Sequence, residues 1–423
     1  MVTFDVRRDP TLDEEVWLAQ TGRGLAVRVV PTSRFREVAA AVTVRYGSTD
    51  LGFVGPDGAH RSPEGVAHYL EHKLFEAEDL HTFDRFAQRG AQVNAYTSFT
   101  RTSYWFAATS AYEDNLRDLL RLVGEPHITP DNVDKERGII AQEIKTYEDA
   151  PNYRAFFDLL RCLYREHPVR HPVAGTVASI QDITDEELLR CHAAFYRTGN
   201  AVLAVAGAVD ADLVVQLAEQ CALAPGEPVA PECPPDLGPP HQPRSGRAMQ
   251  VARPRVLLGV KDATLLTDGE ARGRRDLLTR ILLDLMAGPA SAAREDLVQR
   301  GVADDSLSSS YMSERTFGFA VAGGESEDPA ELERELRALL TRPVDVGEAD
   351  LERVRRKVLG QYVRSFEAAR SVAFAQAEQA AAGIMPFRLL AWLDGVTAEA
   401  LRARQTELFG RGEVAVATVA PTL

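Results

Sequence analysis

Hydrophobic and polar residues follow two different periods along this chain of 423 residues, and each period predicts one kind of element. Alternation predicts half-buried strands, and a repeat of about 3.6 residues predicts amphipathic helices. In the first half the pattern predicts strands over 25–31, 37–46, 92–98 and 101–109, and helices over 62–77, 111–124, 130–148, 152–166 and 184–196. In the second half it predicts further strands and long helices over 328–341 and 347–367. Runs of strands beside runs of helices predict an α+β fold.

A proline-rich stretch separates two parts of similar length. Residues 224–250 interrupt the periodic segments and contain repeated prolines, which predicts an extended linker. We therefore predict an N-terminal domain over 1–223 and a C-terminal domain over 251–423. A long surface loop inside a single domain is the alternative interpretation.

The two parts end in similar segments. Residues 195–207 close the first part and residues 408–420 close the second, and each combines a helix end, a glycine turn and an apolar strand. Their offset of about 213 residues is typical of an internal duplication. We therefore predict two homologous domains, each a largely antiparallel sheet with helices packed on one face.

The chain's most distinctive group of reactive side chains is the run His68-Tyr-Leu-Glu71-His72. On a helix the two imidazoles and the carboxylate project from one face. Two imidazoles at this spacing can bind one zinc ion, and the glutamate between them can act as general base toward a water molecule. A chance occurrence of this short motif, in a chain with nine histidines, is the alternative.

The residues around the motif favour a helix. Ser62 is a suitable N-cap, Pro63 fits a first helical turn, and Val66, Leu70 and Leu74 form an apolar stripe. We therefore predict that the helix begins close to Ser62.

The corresponding positions in the second half carry different side chains. The offset of about 213 residues leads from the motif to Ile281, Asp284 and Leu285. These residues provide no imidazole for a metal ion. We therefore predict one catalytic domain and one non-catalytic domain.

A zinc hydrolase usually has a third protein ligand, and the helix predicted over 130–148 carries candidates. Glu136 and Glu143 lie seven residues apart and share a face of that helix. Glu143 can complete the coordination, and Glu136 can hold a ligating imidazole in the correct tautomer. Spacing alone does not choose between Glu136, Glu143 and Glu148, and ordinary exposed carboxylates are the alternative.

These motifs, together with Gly90-Ala-Gln-Val-Asn94-Ala-Tyr-Thr97, resemble the pitrilysin/insulinase family of zinc metallopeptidases, which includes mitochondrial processing peptidase. The resemblance covers most of residues 25–210, and segments 71–76 and 301–306 are similar to the small bacterial branch of the family. It implies a zinc endopeptidase with one Zn2+ per chain and a peptide substrate that adds to an edge strand. The residues that it implies are the ligands His68, His72 and Glu143, the catalytic base Glu71, the supporting residue Glu136, and the substrate-binding strand Asn94, Ala95, Tyr96 and Thr97.

The chain departs from the family pattern at one pair of residues. Active members use an Arg and a Tyr of the second half to hold the substrate and stabilise the tetrahedral intermediate, whereas Val298 and Asp304 stand at those positions here. Such donors contribute about 3 kcal/mol of transition-state stabilisation. The resemblance implies that two chains enclose a chamber. We therefore expect a heterodimer with a paralogous subunit that supplies Arg and Tyr, with a homodimer as the alternative.

Composition disfavours several other classes of protein. A formal net charge of -14 disfavours a nucleic-acid partner, and the chain has no apolar run of about twenty residues that would span a membrane. The four cysteines lack the spacing of a zinc knuckle or a disulfide framework, which favours reduced thiols and a cytoplasmic location. Two alternative functions stay open: a non-catalytic peptide-binding or assembly subunit, and a hydrolase of non-peptide amides.

Overall fold

The computed structural model describes residues 2–55, 58–77 and 82–422. The chain forms two compact units, and each unit is assembled from three segments. Unit 1 contains the residues up to 144, 172–233 and 361–387, and unit 2 contains 145–171, 234–360 and the residues from 388 on. Each unit therefore includes a segment from the opposite half of the sequence.

Strands and helices are numbered here in chain order. The strands are β1 (Asp5–Asp9), β2 (Glu14–Gln20), β3 (Ala26–Pro31), β4 (Val38–Val44), β5 (Gly52–Gly55), β6 (Gly58–Arg61), β7 (Gln92–Thr97), β8 (Thr102–Ala108), β9 (Ala201–Gly207), β10 (Arg244–Met249), β11 (Arg255–Lys261), β12 (Ser308–Ser313), β13 (Gly318–Glu325) and β14 (Ala415–Pro421). The helices are α1 (Val66–Leu74), α2 (Thr82–Gln88), α3 (Tyr112–Gly124), α4 (Pro130–Asp149), α5 (Pro151–Leu163), α6 (Asp185–Phe195), α7 (Ala211–Glu219), α8 (Gly269–Ala287), α9 (Ala292–Gln299), α10 (Pro329–Thr341), α11 (Glu348–Arg364), α12 (Ala369–Ala381), α13 (Arg388–Asp394) and α14 (Ala398–Phe409).

The sheet of unit 1 has seven strands in the order β1-β2-β3-β9-β4-β8-β7. The β3–β9 pair is parallel, and the other neighbours are antiparallel. The central strands β4 and β9 are buried along their whole length. Strand β7 forms one edge of this sheet, which leaves its outer backbone groups facing away from the other strands.

The sheet of unit 2 repeats this arrangement with five strands in the order β10-β14-β11-β13-β12. Again one pair, β10–β14, is parallel and the other neighbours are antiparallel. Strand β14 therefore has the position of β9, and β12 has the edge position of β7. The predicted α+β fold with two related domains, each a largely antiparallel sheet with helices, is confirmed.

Helices cover both faces of the central strands. One face of each sheet is covered by a helix of the segment that comes from the opposite half of the sequence, residues 361–387 in unit 1 and residues 145–171 in unit 2. In unit 1, α12 packs on β4 and β9, where Ala41 and Ala204 contact Ala377. In unit 2, α5 packs on β11 and β14, and a Cβ atom at Gly259 would lie 3.0 Å from Leu159. Small side chains at these positions allow the helix to approach the sheet closely. The prediction of helices on one face describes the remaining helices. The covering of the second face was not predicted, because a periodic pattern does not identify a covering helix that comes from elsewhere in the chain.

The predicted elements differ from the structure mainly at their ends. The final residues of the predicted linker, Arg244–Met249, form β10, whose side chains are alternately exposed and half-buried, because this segment pairs with β14. Strands β1, β2, β5 and β6 were not predicted. The continuous boundaries at 223 and 251 stay a prediction. Among the described residues, no helix combines the length and the apolar character needed to cross a bilayer.

Candidate metal centre

Helix α1 begins at Val66, later than the sequence predicts. Its N-cap is Gly65, which has a φ of 92° and provides no side-chain cap. A Cβ atom at Gly65 would lie 2.5 Å from the carbonyl oxygen of Ala174, so only glycine fits without a shift. The prediction of Ser62 as the N-cap is wrong, because the buried Ser62 hydroxyl lies 3.3 Å from Cys191 Sγ instead.

The histidines of the motif lie side by side on α1, as the helical spacing predicts. The ring centroids of His68 and His72 are 4.7 Å apart. The predicted apolar stripe is buried: Val66 and Leu70 are fully buried and Leu74 is 2% exposed. Because the stripe anchors α1 in the core of unit 1, both imidazoles have fixed backbone positions.

Helix α4 brings two glutamates to these histidines. Glu143 Oε1 lies 3.7 Å from His68 Nε2, and Glu143 Oε2 lies 3.5 Å from His72 Nε2. Glu136 Oε1 lies 2.9 Å from His72 Nδ1. The candidate ligand atoms of His68, His72 and Glu143 all lie within 4.8 Å of one another. Glu148, the third candidate, pairs with Arg154 instead.

This donor set fits a tetrahedral zinc ion. Ligand atoms at about 2.1 Å from zinc are separated by about 3.4 Å, and each imidazole Nε2 approaches this distance to a different oxygen of Glu143. Glu136 accepts a hydrogen bond from His72 Nδ1 in the tautomer that leaves the Nε2 lone pair available. His68 Nδ1 is buried and has no hydrogen-bond partner among the described residues. Two imidazoles and one carboxylate leave a fourth position for water or substrate.

Burial affects the two imidazoles differently. Desolvation and the neighbouring His72 lower the pKa of His68 to about 4, so His68 is neutral at pH 7. For His72, desolvation lowers the pKa, but the hydrogen bond to Glu136 and the charges of Glu71, Glu136 and Glu143 outweigh it, so the net pKa is raised. The carboxylates around His72 therefore produce a negative potential that suits a cation.

Glu71 lies on the same helix and is 8% exposed. Desolvation raises the pKa of its carboxyl group, and a hydrogen bond from Thr97 opposes that shift. Thr97 Oγ1 donates to Glu71 Oε2 at 2.6 Å. A carboxylate with a raised pKa and a fixed orientation is a suitable proton acceptor.

The four residues predicted to bind substrate lie on β7, and their side chains point to two faces. Ala95 packs against the core cluster of unit 1 and Thr97 reaches Glu71, so both face α1. Tyr96 lies on the other face, where its ring centroid is 5.4 Å from that of Phe374. Asn94 is exposed, and its side-chain oxygen accepts from the amide of Ala95. The substrate role of this strand stays a prediction.

Lys73, which follows His72 on α1, was not among the residues predicted from the sequence. Its side chain is fully buried and donates to the carbonyl oxygen of Asn132 at 2.9 Å. Its ammonium group also lies 3.8 Å from Glu136 Oε2. The pattern contained a signal for this: position 73 continues the stripe of Val66 and Leu70 at helical spacing, so a lysine there is expected to be buried.

The predicted counterparts of the motif lie on α8 of unit 2. Ile281 is buried in the core of that unit, and Asp284 forms an ion pair with Lys357. Across residues 2–55, 58–77 and 82–422, the only group of three suitable metal ligands is the one at α1 and α4. At the positions where active family members are expected to have Arg and Tyr, Val298 is 39% exposed, and Asp304 pairs with Arg253.

Two related α+β units with an inverted His-x-x-Glu-His helix and a distant glutamate define an inverzincin-type chain. Family models support this class: residues 36–177 match the Insulinase (Peptidase family M16) model, and residues 182–358 match the Peptidase M16 inactive domain model. The zinc protease YmfH of Bacillus subtilis strain 168, named as uncharacterized, is 33% identical over 417 residues, or 97% of each chain. The chain thus belongs to peptidase family M16, the insulinase family, and the resemblance noted from the sequence is confirmed.

Other relatives match part of the chain or its fold. The mitochondrial-processing peptidase subunit beta of Caenorhabditis elegans is 31% identical over 163 residues, covering 37% of this chain and 35% of that protein. The crystal structure of an M16-like peptidase from Alicyclobacillus acidocaldarius has a TM-score of 0.89 at 34% identity, covering 100% of this chain and 99% of the other. A protease from Helicobacter pylori, at 20% identity and a TM-score of 0.83, covers 96% of this chain and 100% of that one and shares the fold.

Proposed function

We propose that this chain is a zinc-dependent endopeptidase. In this proposal His68, His72 and Glu143 hold one Zn2+, and Glu71 is the catalytic base. The observation that carries the proposal is the approach of three ligand atoms to within 4.8 Å, beside a glutamate fixed by Thr97. Several relatives are named as zinc proteases, which supports zinc as the metal.

The chemistry assigns a separate task to each residue. A bound zinc ion would polarise the peptide carbonyl and make a water molecule more acidic. Glu71 accepts the proton of the attacking water and then transfers it to the leaving amine. Thr97 keeps the carboxylate of Glu71 in one orientation through its hydrogen bond. Glu136 keeps the ring of His72 in the tautomer that a ligand requires.

Strand β7 is the proposed site of substrate binding. Because it lies at the sheet edge, an extended peptide can add to its outer backbone groups as a further strand. Backbone pairing of this kind gives affinity without strict sequence choice, which suits peptides or unfolded segments. The side chain of Tyr96, which packs on Phe374, would then support the strand from behind.

A paralogous subunit is proposed to complete the site inside a chamber formed by the two chains. The side chain of Val298 provides no hydrogen-bond donor, and the carboxylate of Asp304 is acceptor-only when ionised. A chain that lacks both donors is expected to be a weak catalyst, because oxyanion donors contribute about 3 kcal/mol. The C. elegans relative is named as a beta subunit, which is compatible with such a partner. The cytoplasmic location expected from composition is part of the same proposal.

Zinc content and peptidase activity, measured together, test the proposal. The purified chain should retain one Zn2+ after dialysis, cleave a quenched peptide slowly alone, and cleave it much faster with a paralogue that carries Arg and Tyr. Glu71→Gln should retain zinc and lose turnover. Glu143→Gln should lose zinc, and Glu148→Gln is its matched control because Glu148 pairs with Arg154.

Specific results would contradict each part. A wild-type chain without zinc, or a Glu71→Gln variant with nearly full activity, would refute the assigned centre. Strong activity of the isolated chain would refute the need for a paralogue. A zinc-loaded chain that binds peptides but never cleaves them, even with the paralogue, would favour the alternative of a non-catalytic subunit. The match of residues 182–358 to the inactive-domain model and the lack of Arg and Tyr at positions 298 and 304 support that alternative.

A further inference from the structure

Lys73 is a fully buried cation beside the candidate metal centre. Its side chain has 0% exposure, whereas lysines are almost never buried without partners, because removing an ammonium group from water is costly. It is adjacent to His72 in sequence, yet no step of the proposed reaction uses it. Its position therefore calls for a function other than catalysis.

Three oxygen atoms surround the ammonium group of Lys73. The carbonyl oxygen of Asn132 lies at 2.9 Å, Glu76 Oε1 at 3.3 Å and Glu136 Oε2 at 3.8 Å. The contact with Glu136 is the informative one. The other oxygen of that carboxylate, Oε1, lies 2.9 Å from His72 Nδ1. Glu136 is therefore contacted at both oxygens: Oε1 is hydrogen-bonded to the imidazole of His72, and Oε2 forms an ion pair with the ammonium group of Lys73.

We propose that Lys73 is a positioning residue of the metal centre: it fixes the carboxylate of Glu136, and Glu136 in turn fixes the ring of His72 toward Zn2+. This inference rests on the zinc site of the proposed function. The physical reason is that a ligating imidazole binds metal best when its other nitrogen has a fixed, anionic acceptor. The buried ammonium group stabilises that anion and limits its rotation.

A purely structural role for Lys73 makes a different prediction. Lys73 and Tyr69 both donate from α1 to carbonyl oxygens of α4, Tyr69 to Val133 and Lys73 to Asn132. If helix docking were the only function of Lys73, its loss would reduce the stability of the metal-free protein. Zinc affinity of the folded protein would then stay unchanged.

Zinc affinity of the full-length chain separates the two roles. Zn2+ is titrated against a chromophoric chelator for wild type, Lys73→Met, Lys73→Gln and Glu136→Gln, with thermal melting of the metal-free proteins as the stability readout. Lys73→Met removes the charge at similar size, and Lys73→Gln removes the charge but keeps a donor for Asn132. If Lys73→Met does not fold, Lys73→Gln carries the test. Glu76→Gln is the matched control, because Glu76 contacts the same ammonium group and not His72.

We expect Lys73→Met and Lys73→Gln to weaken zinc binding about 10-fold, at the lower end of the usual effect of losing an outer partner of a metal ligand, because Lys73 acts on His72 only through Glu136. Glu76→Gln should stay within about twofold of wild type, since it leaves the Lys73–Glu136–His72 chain intact. In a Glu136→Gln background, Lys73→Met should add little further loss, because Lys73 acts through Glu136.

Several results would overturn the proposal. One is zinc affinity within about twofold of wild type for folded Lys73→Gln, since a positioning residue must affect its metal. Another is an undiminished effect of Lys73→Met in the Glu136→Gln background, which would mean that the two residues act independently. Wild-type protein that binds no Zn2+ would refute the zinc site itself, and this failure is visible in the first titration, before any variant is compared.

Discussion

Thr97 shows how a single hydroxyl group can determine the state of the candidate site. Its position at the end of β7 places Oγ1 2.6 Å from Glu71 Oε2 and 3.3 Å from Thr102 Oγ1. From the sequence, Thr97 was expected to contact substrate. That role stays a prediction, and the geometry gives its side chain a contact with the proposed catalytic base. A hydrogen bond to a buried carboxylate both favours its charged form and restricts its rotation.

Replacing Thr97 by Val should therefore lower kcat by about 10-fold and leave KM nearly unchanged, because the loss of a hydrogen bond to a charged group costs about 1.5–3 kcal/mol. Steady-state kinetics with a quenched peptide, in the presence of the paralogue, measures this. Thr97→Ser is the control, since it keeps the hydroxyl group. A rise in KM with unchanged kcat would instead support the substrate-binding role expected from the sequence.

Asp276, on α8 of unit 2, provides a test of stability that is independent of zinc. Desolvation raises the pKa of its carboxyl group from 3.8 to about 6, with Arg280 opposing and Glu314 adding to the shift. The side chain is 23% exposed. A folded-state pKa above the unfolded value means that the folded protein binds the proton more tightly. The stabilisation of the folded protein by protonated Asp276 is present below pH 4 and is lost as the pH rises through about 6.

Asp276→Asn should therefore raise the free energy of unfolding by about 1–2 kcal/mol at pH 8 and leave it nearly unchanged at pH 4. Thermal or urea unfolding with a chelator present measures this without a contribution from metal. Asp296→Asn, an exposed helical aspartate that also pairs with an arginine four residues later, is the matched control. An equal gain at both pH values would show that desolvation of the charge is not the cause.

At the scale of elements, the candidate site depends on two helices, and each has a glycine in a different structural position. Helix α1 begins after Gly65, whose left-handed backbone and contact with Ala174 leave no space for a Cβ atom. Helix α4 contains Gly138 in its interior, where a Cβ atom would meet nothing within 4 Å. The two glycines therefore have opposite significance, although both lie in segments that carry metal-centre residues.

Gly65→Ala should destabilise the chain by about 2 kcal/mol or more, because it combines a strained backbone with a clash against a carbonyl oxygen. Gly138→Ala should be neutral or stabilising by up to about 1 kcal/mol, since alanine favours a helix interior. Urea unfolding and zinc titration of both variants measure the effects. Equal stability of the two variants would contradict the assigned start of α1.

At the scale of the whole molecule, each unit depends on a helix from the other half of the sequence. Helix α12 covers β4 and β9, and the contacts of Ala377 with Ala41 and Ala204 are part of unit 1. Arg101 and Ser103 of unit 1 contact Glu378 of the same helix. Without α12 a face of two central strands would be exposed to water.

A fragment of residues 1–233 should consequently be unstable or aggregate, even though it contains all the proposed zinc ligands. The same fragment with residues 361–387 attached through a flexible linker should recover a cooperative thermal transition and bind zinc, because α12 again covers the apolar face. Circular dichroism melting and zinc titration measure the recovery. A stable fragment without α12 would favour the continuous domain boundaries predicted from the sequence.

The sequence by itself determined the features that depend on local periodicity. It predicted the positions of seven of the fourteen helices that the described residues form and of several central strands, and it predicted the duplication visible in β9 and β14. The spacing predicted the common face of His68 and His72, because residues four apart on a helix are neighbours. It also reduced the acidic ligand to a few glutamates on one helix, and the family resemblance then selected Glu143.

Only the tertiary structure decided which of these surfaces meet. The contact of α1 with α4 joins two helices that are distant in sequence, and the contact of Thr97 with Glu71 joins a strand to a helix. Periodicity contains no information about such pairings. The burial of Lys73, the start of α1 at Gly65 and the exchange of α5 and α12 follow from the same cause. A hydrophobic pattern states that a face is covered, and the packing of the whole chain decides what covers it.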